Sequence, residues 1–246
     1  MSLDDFRHVA LSESVSTNIE CFTRARDGEA SGLWVTAERQ SGGRGRRGRP
    51  WVSEPGNLYA SLLLIDPAPM EKSGSLPLAV ALAVYRAISA VLPPGGQDLA
   101  IKWPNDILIN RLKTCGILIE AEMLRSGARA VVIGIGVNIN SKPDNPAYPV
   151  TRLADFSAGA SAEILFDHLY KEMVDVLNLW NRGEGTPQVM HHWRQAACGI
   201  GEEIRVNLPD RSLTGRFCGI DDNGFLILDE GDGVKYPIAA GDVFFG

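Results

Sequence analysis

Between Gly42 and Arg49 the chain alternates glycine and arginine, reading G-G-R-G-R-R-G-R ahead of Pro50-Trp51. Glycines let a backbone pass close to a ligand, and arginines offer planar forks that grip phosphate or carboxylate oxygens in pairs. This is chemistry for an anionic ligand. Gly43, Gly45 and Gly48 also satisfy G-x-G-x-x-G, but that fingerprint needs a helix directly after it so that a pyrophosphate sits on the helix N-terminus. Pro50, Trp51 and Glu54-Pro55-Gly56-Asn57 block such a helix, so a dinucleotide fold is excluded. No G-x-x-x-x-G-K-[ST] phosphate loop is present either: Lys113-Thr114 lacks the upstream glycine. The plainer alternative is a solvated connection, although glycine and arginine alternate more tightly than solubility requires.

Four further clusters could carry chemistry. Lys102-Trp103-Pro104-Asn105-Asp106 ends an expected strand and can present a cation and a carboxylate together, or form only a surface ion pair of little value. Lys113 opens an apolar run through Glu120, with Gly116 permitting close backbone approach, yet a lone lysine there is commonly a plain strand end. Gly134-Ile-Gly-Val-Asn138 is a glycine-punctuated strand ending in an amide, suited to a backbone contact or to packing. Ser16-Thr17-Asn18 is most simply a helix N-cap.

The elements that must position these residues are strands at Phe6–Leu11, Leu33–Glu38, Leu58–Ile65, Leu99–Trp103, Cys115–Met123 and Arg129–Val137. Helices fit Thr17–Arg26, Ser75–Leu92 with Ser75 as a hydroxyl cap, Ala162–Arg182 and Thr186–Ala197. Short turns at Asn110-Arg111 and Ser126-Gly127 imply antiparallel neighbours and hence a mixed or antiparallel sheet. From about Gly201 the pattern is strand and turn only: Glu203–Leu208, Leu213–Ile220, Phe225–Leu228 and Val234–Ile238, with a turn at Gly231-Asp232-Gly233. A small β-barrel is expected there. The chain is therefore read as an α+β unit over residues 1–199 and a small β unit over 200–246.

Composition sets the surroundings. The 246 residues carry a net charge of −6, which argues against broad nucleic-acid binding through a basic face. The longest apolar runs, such as Leu62–Ile65 and Val131–Ile135, are strand-sized, so no membrane span is expected. No signal peptide is read at the start. Cys21, Cys115, Cys198 and Cys218 stand apart without C-x-x-C or a Cys/His cluster, which points to a reducing cytoplasm rather than a disulfide framework or zinc site.

In order, spacing and identity, these clusters closely resemble the biotin protein ligases. The motifs are S-T-N at 16–18, G-R-G-R-R-G-R-P-W at 43–51, N-L-Y at 57–59, K-W-P-N-D at 102–106, K-x-x-G-I-L at 113–118 and G-V-N at 136–138. The resemblance spans nearly the whole chain. It implies a class II aminoacyl-tRNA-synthetase-like sheet flanked by helices, with a Src-homology-3-like C-terminal barrel. It also implies an enzyme that adenylates biotin with ATP and Mg²⁺, then passes biotin to a lysine of a carboxylase's biotin carboxyl carrier domain. The motifs start almost at Met1, so the likeness is to ligases without an N-terminal winged helix. No DNA partner is expected, and the enzyme is a monomer or homodimer.

The resemblance also implies roles. Lys113, Arg46, Lys102 and Asp106 form the catalytic set: Lys113 on the carboxyl and α-phosphate oxygens, Lys102 on the phosphates, Arg46 on the adenylate, Asp106 orienting the incoming lysine. Ser16, Thr17, Asn18 and Gln40, with Gly43, Arg44, Gly45, Arg46, Lys113 and Gly116, hold biotin. Arg44, Arg46, Trp51, Lys102, Asn105, Lys113 and Asn138 surround the adenylate, with Trp51 and Trp103 chiefly packing anchors. Asn105 and Asp106 organise Mg²⁺ through the ATP phosphates. The physical case agrees. A carboxylate brought to an α-phosphate meets repulsion of about 4 kcal/mol per charge pair at 4 Å and a dielectric near 20. Undone, that costs about a thousandfold in rate. The cations offset it. A lipoate or octanoate ligase or transferase of the same superfamily is the enzyme alternative, and a non-catalytic nucleic-acid-binding module using the Gly/Arg loop is the alternative of another class.

Overall fold

The computed structural model describes every residue except Asn145, Ala147, Asp232 and Gly246, so Asp232 of the expected 231–233 turn lies outside the described residues. Strand β1 (Arg7–Ser14) runs through helix α1 (Thr17–Arg26) into β2 (Leu33–Gln40), and these two strands pair in parallel. Then come β3 (Leu58–Ile65), α2 (Leu76–Val91), β4 (Leu99–Lys102), β5 (Asp106–Ile109), β6 (Leu112–Met123), β7 (Arg129–Val137), α3 (Ala162–Trp180) and α4 (Thr186–Ala196). The strands form one sheet in the order β1-β2-β3-β7-β6-β5-β4, antiparallel beyond the first pair. The mixed sheet expected from the short turns is thus the one that forms. Asn110 (φ 50°) and Arg111 (φ 66°) both sit in the left-handed region that a two-residue hairpin turn requires.

The tail is a second antiparallel sheet of β8 (Glu203–Asn207), β9 (Ser212–Ile220), β10 (Leu226–Asp229), β11 (Lys235–Ile238) and β12 (Asp242–Phe245), in the order β11-β10-β9-β8-β12. The sequence reading lacks β5 and β12. Each is four residues long and abuts a turn, too short to show alternation. The chain crosses back after β11, so β12 pairs with β8 and lands beside the larger sheet.

Two other expectations need correction. Ser75 does not cap α2 with its side chain. Its hydroxyl instead contacts Thr186 Oγ1 (2.9 Å) and accepts from the Trp180 indole N–H (2.8 Å), tying α2 to α3 and α4. The segment Met70–Val91 is long and apolar enough to cross a membrane, contrary to the reading that no window is. It is a core helix: Leu76, Ala79, Val80, Ala83, Val84, Ala87 and Ile88 are buried with α3 and α4 against the sheet.

Strand alternation divides the sheet into two unlike faces. On β7, Val131, Ile133, Ile135 and Val137 join the core under α2 and α3, whereas Ala130 and Val132 pack towards α1. Gly134 and Gly136 continue that second face, and Gly116 of β6 pairs with Gly136 across the strands. These glycines clear space. A Cβ at Gly134 would run into the Asn18 side chain, with Cγ at 2.9 Å, and one at Gly136 would meet the Trp51 indole at 2.6 Å. Asn18 cannot give way, because it is buried and its Oδ1 accepts from Ser61 (2.6 Å). Gly134→Ala is expected to cost about 1–3 kcal/mol by overpacking. In a thermal melt that lowers Tm by about 2–4 °C per kcal/mol, whereas Gly159→Ala, with open space around it, leaves Tm within about 1 °C.

Candidate active site

The glycine-cleared face is the floor of a cavity of about 510 Å³. Its lining includes Ser16, Thr17, Gln40, Arg44, Gly45, Arg46, Trp51, Lys102, Asp106, Lys113 and Gly116. Most of the residues singled out in the sequence therefore converge on one place, although they come from five separate stretches of chain.

One end is built for hydrogen bonding. Ser16 stands at the N-cap position of α1, yet its side chain makes no capping bond and lines the cavity. Gln40, the last residue of β2, takes over: its Oε1 accepts from the Thr17 N–H (2.9 Å) and the Thr17 hydroxyl (3.2 Å). Its amide nitrogen donates to Ser53 Oγ (3.0 Å), which donates to the Trp51 carbonyl (3.0 Å). Gln40 is thus the joint between the S-T-N turn and the exit of the Gly/Arg loop.

The other end is cationic. Lys102 and Asp106 face each other as cross-strand partners in the tight β4–β5 hairpin, which is how K-W-P-N-D brings a cation and a carboxylate together. The Asp106 carboxylate is paired with Lys113 (2.7 Å) rather than with Lys102. The Lys102 ammonium lies 5.5 Å from the centroids of both Phe244 and Phe245. Burial pulls the Lys102 pKa down, and Lys113 adds to that while Asp106 opposes it. Lys113 is buried as well, but its pKa is raised, because attraction to Asp106 and the Tyr148 hydroxyl outweighs desolvation. Asp106 thus raises the pKa of both lysines, but only at Lys113, which it pairs directly, does it outweigh burial.

The Gly/Arg loop folds over this end as a compact hairpin. Gly45 N–H donates to Arg49 O (2.7 Å), and Trp51 N–H donates to Gly43 O (2.9 Å). The Arg46 guanidinium donates to Asn105 Oδ1 (3.1 Å) and Gly241 O (3.1 Å), and Arg44 pairs with Glu120 (3.6 Å). The Trp51 indole lies on Gly116 and Gly136, with its N–H buried and lacking a partner among the described residues. Trp103 donates to Gly224 O (3.0 Å) and anchors the hairpin to the C-terminal sheet.

Four singled-out residues lie outside the cavity lining. Asn18 supports the floor and donates to Glu120 (2.7 Å), and Gly43 sits under the loop against Ser53 and Trp51. Asn138, just past the end of β7, is a buried tie whose amide donates to Thr151 O (3.2 Å). Asn105 donates to Ile117 O (2.7 Å) and accepts from Arg46, so protein partners occupy its amide. Among the described residues no group of three His, Cys, Asp or Glu side chains could hold a metal by itself. Mg²⁺ typically keeps its waters and binds one or two carboxylates plus substrate phosphates, and Asp106 fits that use. Sequence reasoning missed Tyr148, Arg111, Glu202 and the β12 residues Asp242 to Phe245, all of which line the cavity.

Comparison with known proteins agrees with this geometry. Residues 16–138 match the Biotin/lipoate A/B protein ligase family, and residues 199–246 match the Biotin protein ligase C terminal domain. The biotin–[acetyl-CoA-carboxylase] ligase of Paracoccus denitrificans is 35% identical over 96% of this chain and 99% of its own. The biotin protein ligase of Aquifex aeolicus in complex with biotin and ATP superposes with a TM-score of 0.81 at 25% identity, covering 97% of each chain. That of Leishmania major in complex with biotinyl-5-AMP gives 0.65 at 25% identity, covering 95% of this chain and 99% of that one. With its family match and this long, closely aligned relative, the chain belongs to the biotin/lipoate A/B protein ligase family.

Proposed function

We propose that the chain is an ATP-dependent biotin protein ligase, with residues 1–199 as its catalytic unit and 200–246 as its C-terminal unit. One observation carries this reading: a single cavity joins a hydrogen-bonding end at Ser16, Thr17 and Gln40 to a cationic end at Arg46, Lys102 and Lys113. The first end suits the ureido head of biotin. A site that hydrogen-bonds its substrate rejects analogues lacking those groups far better than an apolar slot does, which favours biotin over lipoate or octanoate.

At the cationic end, a biotin carboxylate oxygen attacks the α-phosphorus of ATP, the α–β anhydride bond breaks and pyrophosphate leaves. Lys113 contacts the carboxyl and α-phosphate oxygens as the anhydride forms, Lys102 holds the departing phosphates, and Arg46 holds the adenylate once formed. Asp106 would meet an Mg²⁺ carried on the nucleotide, which would supply positive charge to the leaving pyrophosphate. An acceptor lysine amine then attacks the carbonyl, AMP leaves and an amide forms. Asp106, already paired with Lys113, is placed to orient that amine. The acceptor is the biotin carboxyl carrier domain of a carboxylase, as the name of the Paracoccus relative indicates. No covalent enzyme intermediate is needed. The Gly/Arg loop shields the anhydride from water.

Pyrophosphate release should depend on biotin, with lipoate and octanoate inactive in parallel reactions, and label should pass to a carrier domain with one acceptor lysine. Turnover with lipoate instead would move the chain to the sister activity. Lys113→Gln is expected to lower adenylation by about 10²–10³-fold, as loss of one preorganised transition-state contact does. Arg46→Gly should keep pyrophosphate release within about tenfold of the parent while free biotinyl-adenylate accumulates in solution. Retention of the adenylate at the parental level by that variant would remove the shielding role from the loop.

A further inference from the structure

The C-terminal sheet does more than abut the cavity: its last strand carries a carboxylate on which the loop's arginines converge. Asp242 lies 3.3 Å from Arg46, 3.1 Å from Arg47 and 3.4 Å from Arg49, and its side chain is only 14% exposed. Its backbone is fixed, because β12 pairs with β8 through Asp242↔Asn207 and the buried pair Val243↔Val206. We infer that Asp242 is a positioning residue, a latch that holds the Gly/Arg loop shut over the adenylate and couples the C-terminal sheet to the reaction.

Arg47 separates latching from ligand contact. It does not line the cavity. Among the described residues its guanidinium reaches Asp242 and Asn207 O (3.4 Å), both on the C-terminal sheet. Its backbone adopts φ 57°, a left-handed conformation unusual for arginine, next to Gly48 at φ 71°. Such a conformation persists where side-chain contacts over-determine it, and the Asp242 pair supplies them. The loop also closes on itself through Gly45–Arg49 and Arg49–Arg46 bonds, so it moves as one piece. Outside that piece its side chains hold Asn105, Gly241, Glu120 and Asn207 by single contacts, whereas Asp242 is shared by three arginines. Three cations on one carboxylate leave an excess of positive charge, so the latch does not cancel the attraction for phosphate.

This inference rests on the ligase reading, and the experiment separates the two. Asp242→Asn in the full chain keeps shape and removes charge. Without ligands, limited trypsin digestion should cut after Arg44, Arg46 and Arg47 at least about fivefold faster than in the parent, because opening the loop exposes it. With biotin and ATP, the fraction of adenylate released free should rise by a similar factor while pyrophosphate release changes little. Asp242→Glu should restore both. If Asp242→Asn lowers Tm, Arg47→Ala carries the same test without touching β12, and should loosen the loop in both assays. Parental cleavage and parental leakage in both variants would overturn the latch. Absence of biotin-dependent pyrophosphate release in the parent would instead remove the ligase reading, with the digestion result still deciding whether Asp242 closes the loop.

Discussion

Arg44, Arg46, Arg49, Lys102, Arg111 and Lys113 line one cavity of a chain whose net charge is −6, and their mutual repulsion is the constraint around which the site is built. Like charges about 4 Å apart repel by about 4 kcal/mol at an effective dielectric near 20. Each cation except Lys102 is therefore matched to a carboxylate: Arg44 to Glu120, Arg46 and Arg49 to Asp242, Arg111 to Glu202 and Lys113 to Asp106. Lys102 is held between two phenylalanine rings instead, and its lowered pKa records the cost of burial. An anionic substrate enters a preassembled field rather than gathering the charges itself, which is the arrangement that electrostatic catalysis favours.

That field needs a bare floor and a closed roof. The floor is the α1-facing side of β6 and β7, where Gly116, Gly134 and Gly136 replace side chains and let Asn18 and Trp51 approach the strands. The roof is the Gly/Arg hairpin, tied at its exit by Gln40 and Ser53 and at its tip by contacts to the C-terminal sheet. The C-terminal sheet thus supplies the two rings around Lys102 and the carboxylate beneath the arginines. It completes the site instead of decorating it.

Much of this was legible in the sequence. Glycine at 134 and 136 in an otherwise apolar strand falls on one face, since alternate residues share a side, and K-W-P-N-D showed that Lys102 and Asp106 could be presented together, though not the β4–β5 hairpin that sets them opposite each other. The Asn110-Arg111 turn and the mixed sheet followed from turn chemistry. What stayed hidden was non-local. Asp242 lies 195 residues from Arg47 in sequence and sits in a four-residue strand after a G-D turn, with no periodicity to mark it. Asn138 carried a motif-based expectation, but it follows the last residue of β7 and its buried amide is bound to Thr151 O. Ser75 looked like a cap because hydroxyls before apolar helices often are; only the tertiary packing of three helices gives its oxygen other partners.

The most direct measurement is a crystal structure of the full chain with a non-hydrolysable biotinyl-adenylate analogue. The account predicts the ureido ring beside Ser16, Thr17 and Gln40, and the phosphate within hydrogen-bond distance of both Lys113 and Arg46, under a loop still joined to Asp242. An analogue bound with its phosphate away from Lys113 and Arg46, or a bound state with the loop detached from the C-terminal sheet, would contradict it.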